Sequence, residues 1–318
     1  MRPTSNVLDR RGFLAAAAAL VTASAAGAAA QPFFKRTGLP LGIQLYTLGP
    51  DAAKDLDGTL QAVGKIGYQR VELAGFLGRT PAEMKASLDK AGLTCVSAHI
   101  QSRGGDGAFD GDLAKLADGL KTVGVKTAVM PSVYVPERFG ARPTNGESVV
   151  GYLQRIAAGM TADDWKMNAD YLNAKAKVLK AAGIQVGYHN HNMEFAPVGA
   201  TNGLEILLAN TDPALVTFEM DIGWVAAGGA DPLALLRKHK GRFTMMHVKD
   251  IKADTKPNFT FGMDPAEIGS GKLDWKTLLP AAYAEGVRGF YVEQEPPFIR
   301  PRLEAAKISH DYLASVVA

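Results

Sequence analysis

A chain of 318 residues, 47% hydrophobic and 21% charged, has the composition of a globular protein with a large core, and its length suits two ordinary domains or one α/β barrel with extensions. The formal net charge is +3, of which Arg2, Arg10 and Arg11 against Asp9 supply two, so the remainder is too balanced for an electrostatic nucleic-acid footprint. The single cysteine, Cys95, excludes an intrachain disulfide and a cysteine-built zinc site, and its place in an apparent strand marks it as a small core residue.

Residues 1–30 read as an export segment. Asp9-Arg10-Arg11-Gly12-Phe13-Leu14 resembles a twin-arginine (Tat) signal, and Ala28-Ala29-Ala30 before Gln31 suits cleavage near Ala30. The apolar stretch between them is short and alanine-rich, well below the ~20 apolar residues of a spanning helix. The resemblance implies a bacterial protein that meets the Tat export machinery, crosses folded, and is released into the periplasm without a membrane attachment. Residues 31–40, with Pro32 and Pro40, are expected to form a linker, and residues 41–318 a single domain.

From there strands and helices alternate. Residues 42–47 read as the first strand and 57–66 as a helix with Leu60, Val63 and Ile66 on one side, ended by Gly67. Residues 69–73 are the second strand, and Thr80-Pro81-Ala82-Glu83 has the pattern of a capped helix start. The third strand covers 93–99, a helix about 109–123, and the fourth strand 125–131. A long insertion, 132–161, reads as loop, and Thr161-Ala162-Asp163-Asp164 caps the next helix. The fifth strand begins at Gly183 and runs into Gly187-Tyr188-His189-Asn190-His191-Asn192-Met193-Glu194-Phe195. A short helix (203–208), the sixth strand (215–220), a helix (232–239) and the seventh strand (243–248) follow. A second long loop (251–273), a helix (274–286), the eighth strand (287–292) and a last helix (302–316) complete the chain.

Eight strand–helix alternations predict parallel strands in a closed (β/α)8 TIM barrel. A doubly wound open sheet is the rival, but it usually carries a glycine-rich phosphate loop after its first strand, and Thr47-Leu48-Gly49-Pro50 is not one. In a barrel the functional groups collect at the C-terminal ends of the strands, where this chain places Gln44, Glu72, His99, His189, His191, Asp221, His247, Lys249 and Glu293.

Asp221, His247 and Glu293 each end a separate apolar run. Buried carboxylates cost several kcal/mol unless paired or coordinated, and several converging on one barrel mouth are satisfied most simply by a cation. Oxygen and nitrogen donors without thiolate suit Mn²⁺, Zn²⁺, Co²⁺ or Fe²⁺ better than Ca²⁺. Taken singly, Asp221 can instead cap a turn and His247 bond a neighbour. The fourth ligand is expected from the fifth strand, where His189, His191 and Glu194 all qualify. His189 is favoured, leaving His191 for catalysis and Glu194 for substrate. Glu72 and Lys249 are the further acid/base candidates, the alternative being a solvated rim or an internal Lys249–Asp250 or Glu72–Lys249 ion pair. His99 is a candidate to meet a substrate hydroxyl or else a packed end-of-strand histidine, and Trp224 is a candidate to offer an apolar face to a sugar ring or else to fill the barrel rim.

Taken together, Val71-Glu72-Leu73, Tyr188-His189-Asn190-His191 with Glu194-Phe195, Asp221-Ile222-Gly223-Trp224, His247-Val248-Lys249-Asp250, Glu267-Ile268-Gly269-Ser270-Gly271 and Val292-Glu293 resemble the xylose-isomerase-like TIM-barrel superfamily, the sugar phosphate isomerase/epimerases. The resemblance implies one divalent metal, with Asp221, His247 and Glu293 at ligand positions, and proton transfer at carbon beside a carbonyl. His189 stands where many epimerases have glutamate, and histidines on this strand resemble the inosose-dehydratase-like branch and the branch acting on 3-keto-glycosides. The expectation is therefore a metal-dependent sugar isomerase or epimerase. A keto-glycoside lyase or hydrolase and an inosose-type dehydratase are alternatives on the same site, and a non-catalytic sugar-binding protein is the rival of another class. The subunit count stays open, a homo-oligomer included.

Overall fold

The computed structural model describes residues 31–140 and 146–318. The export signal expected in residues 1–30 lies outside the described residues. Eight parallel strands close a barrel: β1 (Leu41–Gln44), β2 (Arg70–Ala74), β3 (Thr94–His99), β4 (Thr127–Met130), β5 (Gln185–His189), β6 (Val216–Asp221), β7 (Phe243–Val248) and β8 (Gly289–Val292). Each strand pairs with its neighbours in sequence, and β1 pairs with β8, so no edge is left open. The helices surround this single TIM-barrel domain, and none among the described residues is long and apolar enough to cross a membrane.

Local chemistry explains where the elements begin. Thr80 and Glu83 exchange the reciprocal bonds of a capping box at the helix Pro81–Lys90, and Thr161 and Asp164 do the same at Ala162–Ala181. The first strand is shorter than its apolar run. The Gln44 side chain accepts a bond from the Tyr46 amide and turns the chain into a 3₁₀ segment, Leu45–Leu48.

Three readings are corrected. Residues 31–40 are not a linker: Phe33–Thr37 is a helix whose Phe33 ring packs 5.7 Å from Phe290 and 6.1 Å from Tyr283, while the Phe33 amide donates to the Val316 carbonyl. Two adjacent aromatics bury too much apolar surface to stay in solvent. The 132–161 insertion contains a helix, Val149–Gly159, capped by Ser148. A six-residue helix, Ile222–Ala227, follows directly on Asp221.

Inside the barrel the side chains stack in layers. Val129, Met245 and Tyr291 form an apolar plug. Gly42 has to be glycine beside it, because a Cβ there would lie 2.4 Å from the Tyr291 ring. Above the plug the inward positions turn polar, two residues further along each strand: Met245 gives way to His247, and Tyr291 to Glu293.

Candidate active site

The polar groups occupy two tiers. In the lower tier Glu72 receives the Gln44 amide at 2.8 Å, the Ser97 hydroxyl, and His247 Nε2 at 2.7 Å. Glu219 Oε2 lies 3.0 Å from His99 Nε2, 3.2 Å from His189 Nδ1 and 3.1 Å from His247 Nε2. Glu72, Glu219 and His247 are fully buried. The pairing Asp221↔His247 between β6 and β7, next to Glu293 just beyond β8, brings the upper tier together.

In the upper tier His247 Nδ1 is 2.8 Å from Glu293 Oε2 and 3.6 Å from Asp221 Oδ2, and His189 Nε2 is 3.9 Å from Asp221 Oδ2. One donor atom from each of His189, Asp221, His247 and Glu293 falls within 4.8 Å of the others. Asp221 serves two purposes. Its Oδ1 accepts the Trp224 amide and so caps the helix Ile222–Ala227, while the buried Oδ2 faces the Lys249 ammonium. The Lys249 ammonium lies 2.8 Å from that Oδ2, 2.7 Å from Glu293 Oε2 and 3.2 Å from Glu295 Oε1. Glycine at 223 makes room for the lysine stem, since a Cβ there would lie 2.7 Å from Lys249 Cγ.

A divalent ion fits this donor set. Two imidazoles and two carboxylates, without thiolate, match the chemistry of Mn²⁺, Zn²⁺ and Co²⁺. Asp221 Oδ2 lies 3.6 Å from His247 Nδ1 and 3.9 Å from His189 Nε2. Asp221 and Glu293 lie beside each other at the cavity and share the Lys249 ammonium, so a divalent ion there meets two carboxylates in a low-dielectric interior.

Ionisation follows the same crowding. Burial opposes charge on His247, but Glu219 and Glu293 hold its pKa well above the usual imidazole value. Burial and the neighbouring His247 push His189 down to about 4, and burial with His189 holds His191 well below its usual value. Burial also disfavours the charged Lys249, yet Asp221, Glu293 and Glu295 together raise its pKa. Burial and the charge of Glu219 raise Glu72.

The two tiers open into a cavity of about 540 Å³, within the usual range for small-molecule sites. Trp224, Phe261 and Met263 supply apolar lining, and His99, His189, His191, Gln101, Glu293 and Glu295 supply polar lining. The His191 ring sits 5.4 Å from Trp224 and 4.8 Å from Phe261, and its Nδ1 is buried without a hydrogen-bond partner. Of the residues expected from sequence, His99, His189, His191, Trp224 and Glu293 therefore face the cavity, with Asp221 and His247 clustered just behind it.

Three expected roles are corrected. Glu194 does not meet substrate: it is fully buried, accepting the Tyr188 hydroxyl at 2.6 Å and the His191 amide at 3.0 Å. Glu72 does not line the cavity; Gln44, Ser97 and His247 enclose it. Lys249 is likewise closed in, by Asp221, Glu293 and Glu295 rather than by Asp250 or Glu72. Sequence reasoning missed Glu219, although strand alternation from Asp221 points an acid two residues earlier to the same side. It also missed Glu295, two residues beyond Glu293.

Comparison with known proteins agrees with this architecture. The chain is 26% identical over 285 residues to an inosose dehydratase of Geobacillus kaustophilus (strain HTA426), an alignment covering 82% of this chain and 87% of that protein. The crystal structure of a sugar phosphate isomerase/epimerase from Parabacteroides distasonis ATCC 8503 superposes with a TM-score of 0.69 at 27% identity, covering 87% of this chain and 94% of that one. A 3-keto-D-glucoside 4-epimerase from E. coli shares the fold, with a TM-score of 0.56 at 16% identity over 86% of this chain and 98% of that one. The family model described as xylose isomerase-like TIM barrel matches residues 60–316, and the chain belongs to that family.

Proposed function

We propose that the protein is a divalent-metal-dependent enzyme that removes a proton from the carbon beside a carbonyl of a sugar, cyclitol ketone or keto-sugar, and that the departure of a β-hydroxyl as water completes the reaction. The observation that carries this reading is the convergence of His189, Asp221, His247 and Glu293 next to a cavity walled partly by aromatics and partly by polar groups. A bound divalent ion would supply Lewis-acid polarisation of the carbonyl. His191 lines the cavity and is the residue we assign to take the proton from carbon. Trp224 and Phe261 present apolar surface to one side of a ring, and His99 and Gln101 are placed to meet its hydroxyls. Carbon loses a proton, the neighbouring carbon loses hydroxide, the two leave as water, and a double bond remains. The likeness to the inosose dehydratase over most of both chains supports elimination as the outcome.

The likeness to the P. distasonis isomerase/epimerase favours a second reading, in which the proton returns to carbon and nothing is expelled. One experiment separates the readings. Purified protein is incubated in D₂O with inososes, free sugars and 3-keto-glycosides, in turn with Mn²⁺, Zn²⁺ or Co²⁺. Elimination gives a product lighter by one water, and isomerisation gives a product of the substrate's composition carrying deuterium. Both activities should vanish with a chelator. Binding with no deuterium uptake and no product under any metal sinks both readings and leaves a sugar-binding protein.

A further inference from the structure

His189 and His247 belong to two overlapping sets of four donors. One is the upper set with Asp221 and Glu293; the other is a lower set with His99 and Glu219. Each imidazole uses opposite nitrogens for the two. His189 turns Nδ1 to Glu219 Oε2 at 3.2 Å and Nε2 to Asp221 Oδ2 at 3.9 Å. His247 turns Nε2 to Glu219 Oε2 at 3.1 Å and to Glu72 Oε2 at 2.7 Å, and Nδ1 to Glu293 and Asp221. A ring nitrogen that carries a proton has no in-plane lone pair for a metal, so a neutral imidazole ligates on one side only.

We propose that Glu219 is the positioning residue of the metal centre: from below it holds the protons on His189 Nδ1 and His247 Nε2, so that His189 Nε2 and His247 Nδ1 face one ion shared with Asp221 and Glu293. The inference rests on the metal reading above. Two facts favour it over an ion in the lower set. First, His189 has its near acceptor on the lower side: Nδ1 is 3.2 Å from Glu219 Oε2, whereas Nε2 is 3.9 Å from Asp221 Oδ2. Second, the upper set borders the cavity, which His189 and Glu293 line, whereas Glu219 does not reach it. A carboxylate bonded to the rear nitrogen of a ligating histidine fixes its tautomer and raises its basicity; Glu219 Oε2 does this for His189 and shares His247 Nε2 with the nearer Glu72 Oε2. Glu219 Oε1 is buried without a hydrogen bond and is free to serve an ion in the lower set, so the two arrangements make opposite predictions.

The test uses the whole chain, labelled with ¹⁵N-histidine and loaded with Zn²⁺ alone. Long-range ¹H–¹⁵N correlation spectra should show protons on His189 Nδ1 and His247 Nε2 and metal-type shifts on the other nitrogen of each ring. The reversed pattern overturns the proposal without any variant having to fold. Zn²⁺ titration calorimetry adds the energetic side. Asp221→Asn should abolish stoichiometric binding, whereas Glu219→Gln should keep one ion and weaken it by about 10–100-fold, the range for such supporting groups. A Glu219→Gln protein with unchanged affinity, or with none while Asp221→Asn still binds, also overturns it. A wild-type chain that takes up no Zn²⁺ overturns the metal reading itself, whereas reversed tautomers with one bound ion overturn only the role of Glu219.

Discussion

Glu194 shows how burial sets the ionisation of a single residue. Its side chain is shut away from solvent, and burial pushes its pKa up to about 7, although the Tyr188 hydroxyl and the His191 amide both favour the carboxylate. The folded-state pKa therefore stands above the unfolded one. Its stabilising share is complete at acid pH, and it is lost as pH rises from about 4.5 through about 7, to roughly 3 kcal/mol. Glu194→Gln removes this titration, so the stability difference between wild type and variant should move by about 3 kcal/mol between pH 5 and pH 8 in urea unfolding. A difference independent of pH would show that Glu194 titrates normally. Because Glu194 holds the His191 amide, the variant also tests whether the cavity histidine is aimed from below. Spacing alone did not separate Glu194 from His189 and His191, since the chain leaves β5 after His189 and the 3₁₀ turn Met193–Phe195 carries Glu194 back under Tyr188. Asp221, His247 and Glu293 were legible because each interrupts or ends a buried strand, where an unpaired charge is too costly to be accidental.

The elements that sequence made plain are those whose ends carry chemistry, and the helix it hid begins with exposed apolar residues inside a loop-like stretch. Thr161 and Asp164 mark the start of Ala162–Ala181 by their capping box. The preceding helix, Val149–Gly159, opens on Val149 and Val150, which are 65% and 55% exposed, so its hydrophobic pattern misleads. Arg138 ties this insertion to the barrel: its guanidinium engages both oxygens of Asp164 and donates to the Gly159 carbonyl at 3.0 Å. Arg138, with help from Thr161, holds Asp164 down to about 2, so the tie persists at neutral pH and is lost only as pH falls from about 4 toward 2. Arg138→Ala should loosen Val149–Gly159 slightly, seen as modestly faster amide exchange there, since a surface pair contributes little. The strands β1 to β8 should exchange as before. Equal protection in both proteins would mean that the buried Tyr152 and Ile156 hold the helix unaided.

At the scale of the whole molecule, eight repeated strand–helix units announce the barrel, but the way its ends are sealed is not periodic and so was not legible. Phe33 and Phe34 close on Phe290, and Pro32 bridges to Val317, which joins the first described residues to the last helix. The polar cluster spans the same closure from within, because its donors come from β5, β6 and β7 and from just beyond β8. An unfolded chain cannot hold these four groups together, so an ion bound there stabilises the native state alone. At a free concentration of 100 times Kd the gain is about 2.7 kcal/mol, and for a chain of this size each kcal/mol moves Tm by about 2–4 °C, so Tm should rise by roughly 5–10 °C. The Lys249 ammonium already offsets part of the acidic charge, and the barrel's apolar core does not depend on the ion. Far-UV circular dichroism at 25 °C should therefore be the same with Mn²⁺ or Zn²⁺ and with a chelator, while calorimetric Tm differs. Asp221→Asn should erase the difference and leave the spectrum intact. Equal Tm values for wild type across a metal titration would mean that Lys249 and the histidines balance the cluster by themselves, and the metal-dependent chemistry would have to be abandoned.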